Sequence, residues 1–389
     1  MSDDLLREDI SFDEIIDRRS QSSLKWTKYK DPDVIPLWLA DMDFRVAAPI
    51  RDAVRRDTDF AVWGYTLPSI ELKEAIAAWL FREHGWKVEL DWIDFIPSAV
   101  SALYLASRIC AEPGGRVICA PPIYPPFRTI TAKAERVGVE IPLLRVGDEW
   151  LLDFEKIEAE LKLGAKLFLF CSPHNPVGKV YSREELDTLF SLLRRYDAWL
   201  CSDELHSSLV LSKDKQHIPS AIAAGDYFER TITIVGPGKT FNISGLGVSV
   251  LIIPDASLRH RWFTVSDGVI PHVDRLAYLA THAAYAEGRE WYLKLIDYLR
   301  ENREIVARRV AEMPHISMHL PDATYLAWIH TGETIAGIKP APFFEKYGVG
   351  LAPGLAFGDD NYLRLNFACP RSLLIQALDR MEEALARMS

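Results

Sequence analysis

The stretch AKLFLFCSPHNPVGKVYSREELDTLFSLLRRYDAWLCSDELH, residues 165–206, contains the pattern that decides the fold. It includes two short continuous apolar runs, LFLFC and AWLC, of the kind found in strands that are buried on both faces. Between the runs, Ser182 and Glu185 form a capping box ahead of a helical pattern. A strand, a helix and a second strand in this order predict a βαβ crossover, which joins parallel strands.

Other parts of the chain repeat this alternation. Three further apolar runs occur, namely GRVICAPP, TITIVGPGK and GVSVLIIP, and helical patterns cover residues 69–84 and 99–108. Because the alternation continues through residues 90–255, it predicts a mainly parallel sheet that is covered by helices. The functional loops of such a sheet lie at the carboxyl ends of its strands.

The C-terminal part has a different pattern. A long helical stretch over residues 287–312 is followed by two strand-like pieces, TYLAWIH and YLRLNFA, and by a final helix over 372–388. This order is typical of a small α+β domain. At 389 residues the chain is too long to fold around one hydrophobic core of ordinary size, so two domains are expected. We therefore expect an α/β protein with a large domain over 45–285 and a small domain made of 1–44 and 286–389.

Composition and charge narrow the class of partner. The formal net charge of -10 and the lack of a long basic run oppose extended contact with nucleic acid or with an anionic membrane surface. The first residues lack the apolar core of a secretory signal, and no apolar run approaches bilayer length. We therefore expect a cytoplasmic protein that acts on a small molecule. The five cysteines are scattered without a C-x-x-C pair, which predicts buried, reduced thiols and no metal site.

Polar residues follow three of the predicted strands, where a buried sheet would not otherwise tolerate them. Asn175 follows LFLFC, Asp203 follows AWLC, and Lys239 follows TITIV. Because the carboxyl ends of parallel strands lie at one edge of a sheet, we expect these three side chains to converge on one crevice. Taken singly, each has an ordinary explanation as a turn residue, a helix cap or a solvated lysine.

The order and spacing of these three residues resemble those of the aspartate aminotransferase superfamily of pyridoxal 5'-phosphate enzymes, fold type I. Within it, seven segments in register resemble the cystathionine β-lyases and C–S lyases of the MalY/PatB type: PLWLADMDF, WGYT, YPPF, SPHNPVGKVYS, SDELHSSLV, KTFNISGL and FGDDNYLRLNFACPR. The resemblance covers nearly the whole chain. It implies a seven-stranded, mainly parallel sheet, pyridoxal 5'-phosphate as the cofactor, and an amino acid as the substrate.

The resemblance also implies roles for individual side chains. Lys239 would hold the cofactor as a Schiff base and would then take the α-proton of the substrate. Asp203 would keep the ring nitrogen of the cofactor protonated, Asn175 would donate a hydrogen bond to its phenolic oxygen, and Tyr124 would stack on its ring. Arg364 would grip the α-carboxylate of the substrate through two parallel hydrogen bonds, with a surface salt bridge as the alternative.

The phosphate end of the implied site departs from the family pattern. Ser98 stands where relatives usually have Gly, although main-chain N–H groups at Ala99 and Val100 can still face the phosphate at a helix N-terminus. Gly236 and Gly238 replace two serines that many relatives carry just before the lysine. Cofactor binding by Ser98, Ala99 and Val100 is therefore an expectation that leaves the anchoring of the phosphate open.

Three further residues come from the same resemblance. Tyr65, in WGYT, would reach the cofactor phosphate of the neighbouring subunit, which implies a homodimer with shared active sites. Ala40 and Asp41, in the ADMDF segment, are expected on the substrate side of the cavity.

His206, which the resemblance places among the cofactor-binding residues, separates two branches of that resemblance. It stands three residues after Asp203, where typical aminotransferases carry Tyr and the C–S lyase subgroup commonly carries His. We therefore expect β-elimination from cystathionine or a related S-substituted cysteine, giving a thiol, pyruvate and ammonia. Two alternatives stay open: an aminotransferase that uses the same residues, and a regulatory protein that binds pyridoxal phosphate with weak catalysis. His206 is explained equally well as a hydrogen-bonded histidine without catalytic effect.

Overall fold

A computed structural model describes residues 10–387 of the chain. Residues 1–9 of the expected small domain, and the predicted end of the last helix at 388, lie outside the described residues. The strands, in chain order, are β1 (Ile35–Pro36), β2 (Ile93–Ile96), β3 (Arg116–Cys119), β4 (Val137–Glu140), β5 (Leu144–Val146), β6 (Glu149–Leu151), β7 (Leu167–Cys171), β8 (Trp199–Asp203), β9 (Thr231–Val235), β10 (Ser249–Ile252), β11 (Ser317–Met318), β12 (Leu326–His330), β13 (Val349–Gly350), β14 (Ala352–Pro353) and β15 (Tyr362–Asn366). The helices, in chain order, are α1 (Ala48–Phe60), α2 (Ile70–His84), α3 (Ala99–Cys110), α4 (Pro125–Lys133), α5 (Phe154–Lys162), α6 (Arg183–Arg195), α7 (Ser220–Ala223), α8 (Pro237–Thr240), α9 (Ala256–Ser266), α10 (Arg275–Glu287), α11 (Arg289–Glu312), α12 (Pro340–Glu345) and α13 (Arg371–Ala386).

The central sheet has seven strands in the order β2-β10-β9-β8-β7-β3-β4. The pairings from β9 through β4 are parallel, whereas β10 runs antiparallel to both of its neighbours. On β7, Phe168 and Phe170 pack into the core on one face, while Leu167 and Leu169 pack into the core on the other. The predicted α/β class and the mainly parallel seven-stranded sheet are confirmed.

The helices begin where the sequence places their caps. The Ser182 hydroxyl accepts from the main-chain N–H of Glu185 (3.2 Å), and the Glu185 carboxylate accepts from the N–H of Ser182 (3.0 Å), which completes the predicted capping box of α6. The Ser69 hydroxyl likewise accepts from the N–H of Leu72 at the start of α2. These bonds satisfy N–H groups that have no partner inside the helix.

The C-terminal region contains a second sheet, of antiparallel strands in the order β11-β12-β15-β14, with α11 and α13 nearby in the chain. The N-terminal segment joins this region, because β1 pairs in parallel with β13. Residues 38–44, which follow β1, then run past α8, where the carbonyl of Ala40 accepts from Lys239. The division into 45–285 and the remainder stays a prediction.

Burial agrees with the expected chemistry of the thiols. All five cysteines are buried and free. Within residues 10–387, no helix is long and apolar enough to cross a membrane. A cytoplasmic location stays a prediction.

Candidate active site

The carboxyl ends of β7, β8 and β9 open into one cavity of about 260 Å³. Asn175, Asp203 and Lys239 all line it, so the structure brings together the three strand-end residues that the sequence singled out. Tyr124, His206, Ala40 and residues 98–100 line it as well. The volume lies just below the usual range for small-molecule sites, roughly 300–1,000 Å³.

A larger cleft, of about 990 Å³, lies between residues 63–67 and residues 271–276. None of the strand-end residues lines it, and its walls are mostly apolar. We place the candidate active site in the smaller cavity, because buried groups with shifted pKa values are gathered there, as is typical of functional sites. Tyr65 lies in the larger cleft and is fully exposed, so the structure does not bring it to the cavity of its own chain.

Lys239 enters the cavity from the first turn of α8, directly after the Gly236-Pro237-Gly238 turn that ends β9. Its Nζ donates a 2.7 Å hydrogen bond to the main-chain carbonyl of Ala40. Burial lowers the pKa of Lys239 to about 8, and the nearby Arg364 guanidinium acts in the same direction. A substantial fraction of this amine is therefore neutral near physiological pH, as a nucleophile or a base requires.

Asp203 is the last residue of β8. Burial raises the pKa of its carboxyl to about 6, against the lowering effects of a main-chain hydrogen bond from Leu205 and of the Lys239 charge. That bond, 3.1 Å long, is the only hydrogen bond to the carboxylate from the described residues. A buried carboxylate with unused acceptor capacity is suited to a cationic partner, such as a protonated ring nitrogen.

Arg364 lies on β15 and is buried. Its Nη1 donates to the side-chain oxygen of Asn175 (3.2 Å) and its Nη2 to the carbonyl of Trp38 (3.0 Å), whereas its Nε has no hydrogen-bond partner within the described residues. Burial lowers the pKa of the guanidinium to about 10, so it remains charged at neutral pH. The alternative of a surface salt bridge is therefore wrong, and a buried cation is available for an anionic ligand group.

His206 and Tyr124 provide neutral polar groups. Burial lowers the pKa of His206 to about 3, and the charges of Lys239 and Arg364 lower it further, so the imidazole is neutral. Its Nδ1 is buried without a hydrogen-bond partner in the described part of the chain, which disfavours the interpretation of a satisfied structural histidine. Tyr124 also lines the cavity. Burial raises the pKa of its hydroxyl, and the nearby Asp203 charge raises it further, so the hydroxyl stays protonated at neutral pH.

The start of α3 closes the far end of the cavity. Ser98 is the N-cap, and its hydroxyl accepts a 3.2 Å hydrogen bond from the main-chain N–H of Val100. The first N–H groups of a helix have no partner inside it and carry a partial positive charge, so this end attracts an anion. Cofactor contacts by Ser98, Ala99 and Val100 remain predictions, and the cap bond already engages one of the N–H groups.

The segment from residue 38 to residue 44 is fixed beside Lys239 by side chains next to β12 and on β15. The Tyr325 hydroxyl donates to the carbonyl of Ala40 (3.1 Å), which is the same carbonyl that Lys239 bonds. The Asn366 amide donates to the carbonyls of Leu39 and Asp41, at 2.6 Å each. Ala40 therefore presents its carbonyl to the lysine, and its role on the substrate side stays a prediction.

A buried ionic network lies behind this segment, and sequence reasoning missed it. Lys25 is fully buried, and its Nζ lies 2.7 Å from Asp43 Oδ2 and 3.0 Å from the carbonyl of Asp41. Asp43 Oδ1 accepts from Trp26 (2.8 Å) and Arg18 (3.1 Å). The Asp41 carboxylate bonds Arg18 (3.0 Å) and does not line the 260 Å³ cavity, and its contact with substrate stays a prediction. The sequence signal that could have indicated this network is the ADMDF segment, because two aspartates within an apolar stretch need cationic partners if they are buried.

The groups in and beside the cavity fit pyridoxal 5'-phosphate. A lysine amine with a lowered pKa, a buried carboxylate with free acceptor capacity, and a helix N-terminus match its aldehyde, ring nitrogen and phosphate. Arg364 Nε and His206 Nδ1 are buried polar atoms without hydrogen-bond partners among residues 10–387, as expected of atoms that bind a ligand.

Comparisons with known proteins extend over almost the entire chain. The model of the family described as "Aminotransferase class I and II" matches residues 39–381. The cystathionine beta-lyase PatB of Bacillus subtilis (strain 168) is 35% identical over 390 residues, which cover 97% of this chain and 100% of that protein. The cystathionine beta-lyase of Corynebacterium glutamicum is 30% identical over 376 residues, covering 96% and 100%.

Solved structures agree with this likeness. OvoB, whose crystal structure is known, has 42% sequence identity to this chain and a TM-score of 0.92, and the match covers 96% of this chain and 99% of OvoB. The C–S lyase of Staphylococcus hominis, solved with pyridoxal phosphate bound, is 32% identical, with a TM-score of 0.90 and coverage of 97% and 98%.

Proposed function

Because the chain belongs to the family of class I and II aminotransferases, we propose that the cavity at the ends of β7, β8 and β9 is the active site of a pyridoxal phosphate-dependent C–S β-lyase. The substrate is L-cystathionine or a related S-substituted cysteine. The observation that carries this proposal is that Lys239 and Asp203 line one cavity, and that the buried Arg364 bonds Asn175 in its wall, in a chain that aligns end to end with proteins named cystathionine beta-lyase.

The proposed roles follow from the protonation states. Bound pyridoxal phosphate supplies an electron sink for the α-carbon of an amino acid. Lys239 Nζ takes the α-proton, because its lowered pKa leaves part of the amine neutral. Asp203 pairs with the ring nitrogen. Arg364 donates to the α-carboxylate of the substrate, with the unpartnered Nε as one of the available donors.

The overall reaction balances without an oxidant or reductant. The Cβ–S bond breaks, and the sulfur leaves with the bonding electrons. The proton that Lys239 Nζ has taken can pass to the leaving sulfur, so that a thiol is released. One water molecule is consumed when the remaining three-carbon fragment becomes pyruvate and ammonia.

An aminotransferase is the second candidate. A putative aminotransferase from Clostridium difficile, solved with pyridoxal phosphate bound, is 32% identical with a TM-score of 0.90, and the cavity residues serve either reaction. His206 favours the lyase, because typical aminotransferases of the aspartate aminotransferase superfamily carry Tyr at this position. The regulatory alternative loses support, because the family and the named relatives are enzymes.

Pyruvate formation from L-cystathionine tests the proposal. The purified protein with pyridoxal phosphate should release pyruvate and a thiol in equal amounts. Lys239→Ala should lose this activity by several orders of magnitude, whereas Lys294→Met, on the exposed face of α11, should retain it. A protein that binds the cofactor, forms no pyruvate, and converts it to the amine form with single amino acids would instead be an aminotransferase.

A homodimer with shared active sites is part of the proposal. The end of α1 and the loop after it expose several large apolar side chains, which a monomer in water would not favour: Phe60, Val62, Trp63, Tyr65 and Leu67. If this loop contacts a second copy, Leu67→Ser should shift the molar mass measured by light scattering from dimer toward monomer. Leu163→Ser, which changes a similarly exposed leucine at the end of α5, should leave it unchanged. In the dimer, Tyr65→Phe should weaken cofactor binding.

A further inference from the structure

Few charged side chains are available to bind an anion at the end of the cavity next to the start of α3. Among the described residues that line the cavity, Lys239 is the only cation, and its amine bonds the carbonyl of Ala40. The Ser98 hydroxyl accepts from the N–H of Val100 and therefore caps the helix. Within this chain, a phosphate dianion at that end must be held mainly by neutral N–H and O–H donors, and each hydroxyl that can reach it matters.

The turn before Lys239 contributes no hydroxyl of its own. A Cβ on residue 238 would lie 3.1 Å from Ser244 Oγ and 3.3 Å from Ser244 Cα. A Cβ on residue 236 would lie 3.1 Å from the Leu205 Cδ2 atom. Both contacts are tighter than ordinary van der Waals contact, and the one at Gly238 is with a serine. Ser244 thus occupies the space that a side chain on residue 238 would need.

Ser244 is placed to replace the missing hydroxyl. It begins a 3-10 turn, Ser244–Leu246, and lines the same cavity as residues 98–100. Its side chain is exposed, and no residue within 10–387 forms a hydrogen bond with its hydroxyl. We propose that Ser244 donates its hydroxyl to the phosphate of pyridoxal phosphate, in place of the hydroxyls that Gly236 and Gly238 lack. This inference rests on the proposed function, because it requires that cofactor in the cavity.

Affinity for two forms of the cofactor tests the inference. Dissociation constants of the cofactor-free protein are measured by equilibrium dialysis for pyridoxal phosphate and for pyridoxal, which has no phosphate. Ser244→Ala should weaken binding of pyridoxal phosphate by about tenfold or more, as expected for a hydrogen bond to a charged group, and should leave pyridoxal unchanged. Ser244→Thr keeps the hydroxyl and should retain most of the affinity. Ser191→Ala, on the exposed side of α6, is the matched control.

A reciprocal variant tests the packing against residue 238. Gly238→Ser should weaken cofactor binding because its Cβ meets Ser244 Oγ, and Gly238→Ser/Ser244→Ala should recover part of the loss, since that oxygen is removed and a hydroxyl is restored on residue 238. Recovery would support the proposal, whereas a double variant weaker than both single variants would contradict it.

The outcomes separate this inference from the proposed function. If the unaltered protein bound no pyridoxal phosphate, the proposed function itself would fail. If it bound the cofactor and Ser244→Ala changed neither affinity, or weakened both ligands equally, Ser244 would not be a phosphate ligand. Ser249, on β10, also lines the cavity, and the same conclusion would follow if Ser249→Ala produced the selective loss and Ser244→Ala did not.

Discussion

Replacement of Lys25 by methionine should lower the free energy of unfolding by about 3 kcal/mol. The Lys25 ammonium is fully buried, 2.7 Å from a carboxylate oxygen of Asp43 whose side chain is 1% exposed. Removing one member of a buried ion pair costs roughly 3–5 kcal/mol, because the remaining charge is left unpaired in a poorly solvated place. Asp43 keeps its hydrogen bonds from Trp26 and Arg18, so we expect a loss at the lower end of that range.

Urea unfolding at a fixed protein concentration, followed by circular dichroism, measures this loss. The midpoint should fall while the slope m stays constant, because the surface exposed on unfolding does not change. Lys294→Met is the matched control. Lys294 pairs with Glu290 at 3.0 Å, but both side chains are exposed, and such a pair contributes less than about 0.5 kcal/mol. Replacing both partners, as in Lys25→Met/Asp43→Leu, should restore part of the stability, since no buried charge is left without its partner.

Two results would refute this reasoning. If Lys25→Met were no less stable than Lys294→Met, the buried pair would make no net contribution, and residues 38–44 would be fixed by their other hydrogen bonds, such as those from Asn366, Tyr325 and Asn242. If the double variant were less stable than Lys25→Met, Asp43 would stabilise the fold without its lysine partner.

Three further predictions concern the cavity. The rate at which the cofactor-free protein captures pyridoxal phosphate, followed by visible absorbance, should rise about tenfold from pH 7 to pH 9. Only the neutral Lys239 amine reacts, and its pKa is about 8. A capture rate that did not change with pH would contradict the lowered pKa. Affinity for pyridoxal phosphate should fall as the pH drops through 6. The pKa of Asp203 is raised to about 6, so below that pH the carboxylate loses the charge that pairs with the ring nitrogen. Asp203→Asn should bind the cofactor more weakly, and its affinity should not change as the pH passes through 6. Arg364→Lys should raise KM for the amino-acid substrate by about tenfold or more, with the cofactor spectrum unchanged, because a lysine cannot donate two parallel hydrogen bonds; an unchanged KM would remove Arg364 from the carboxylate site.

The fold and the strand-end residues could be predicted because they depend on local patterns. Continuous apolar runs and a capping box predicted β7, α6 and β8, and parallel topology then required Asn175 and Asp203 to share an edge of the sheet. Lys239 followed from the same rule on β9. The expected convergence needed no long-range information beyond the order of the strands.

Other parts of the site depend on contacts that no local pattern encodes. The carbonyl of Ala40 meets Lys239 across 199 positions in the chain, and the Arg364 guanidinium meets Asn175 across 189. Lys25 has no sequence neighbour that would mark it as buried. Ser244 became a candidate only when the packing of residue 238 was visible, since a serine in a turn is otherwise unremarkable.

The ionic network behind residues 38–44 also has a consequence for the chemistry of Lys239. The Asp41 carboxylate raises the pKa of that lysine, whereas burial lowers it to about 8. Arg18 lies 3.0 Å and Lys25 3.8 Å from the Asp41 carboxylate, and both cations offset the field of that carboxylate at the amine. Without the Lys25 cation, more of that field would act on Lys239 and favour its protonated form. Lys25→Met should therefore move the midpoint of the capture-rate profile above pH 8, in addition to destabilising the fold. A stability loss with an unshifted midpoint would show that the network supports the segment mechanically and does not set the charge of the lysine.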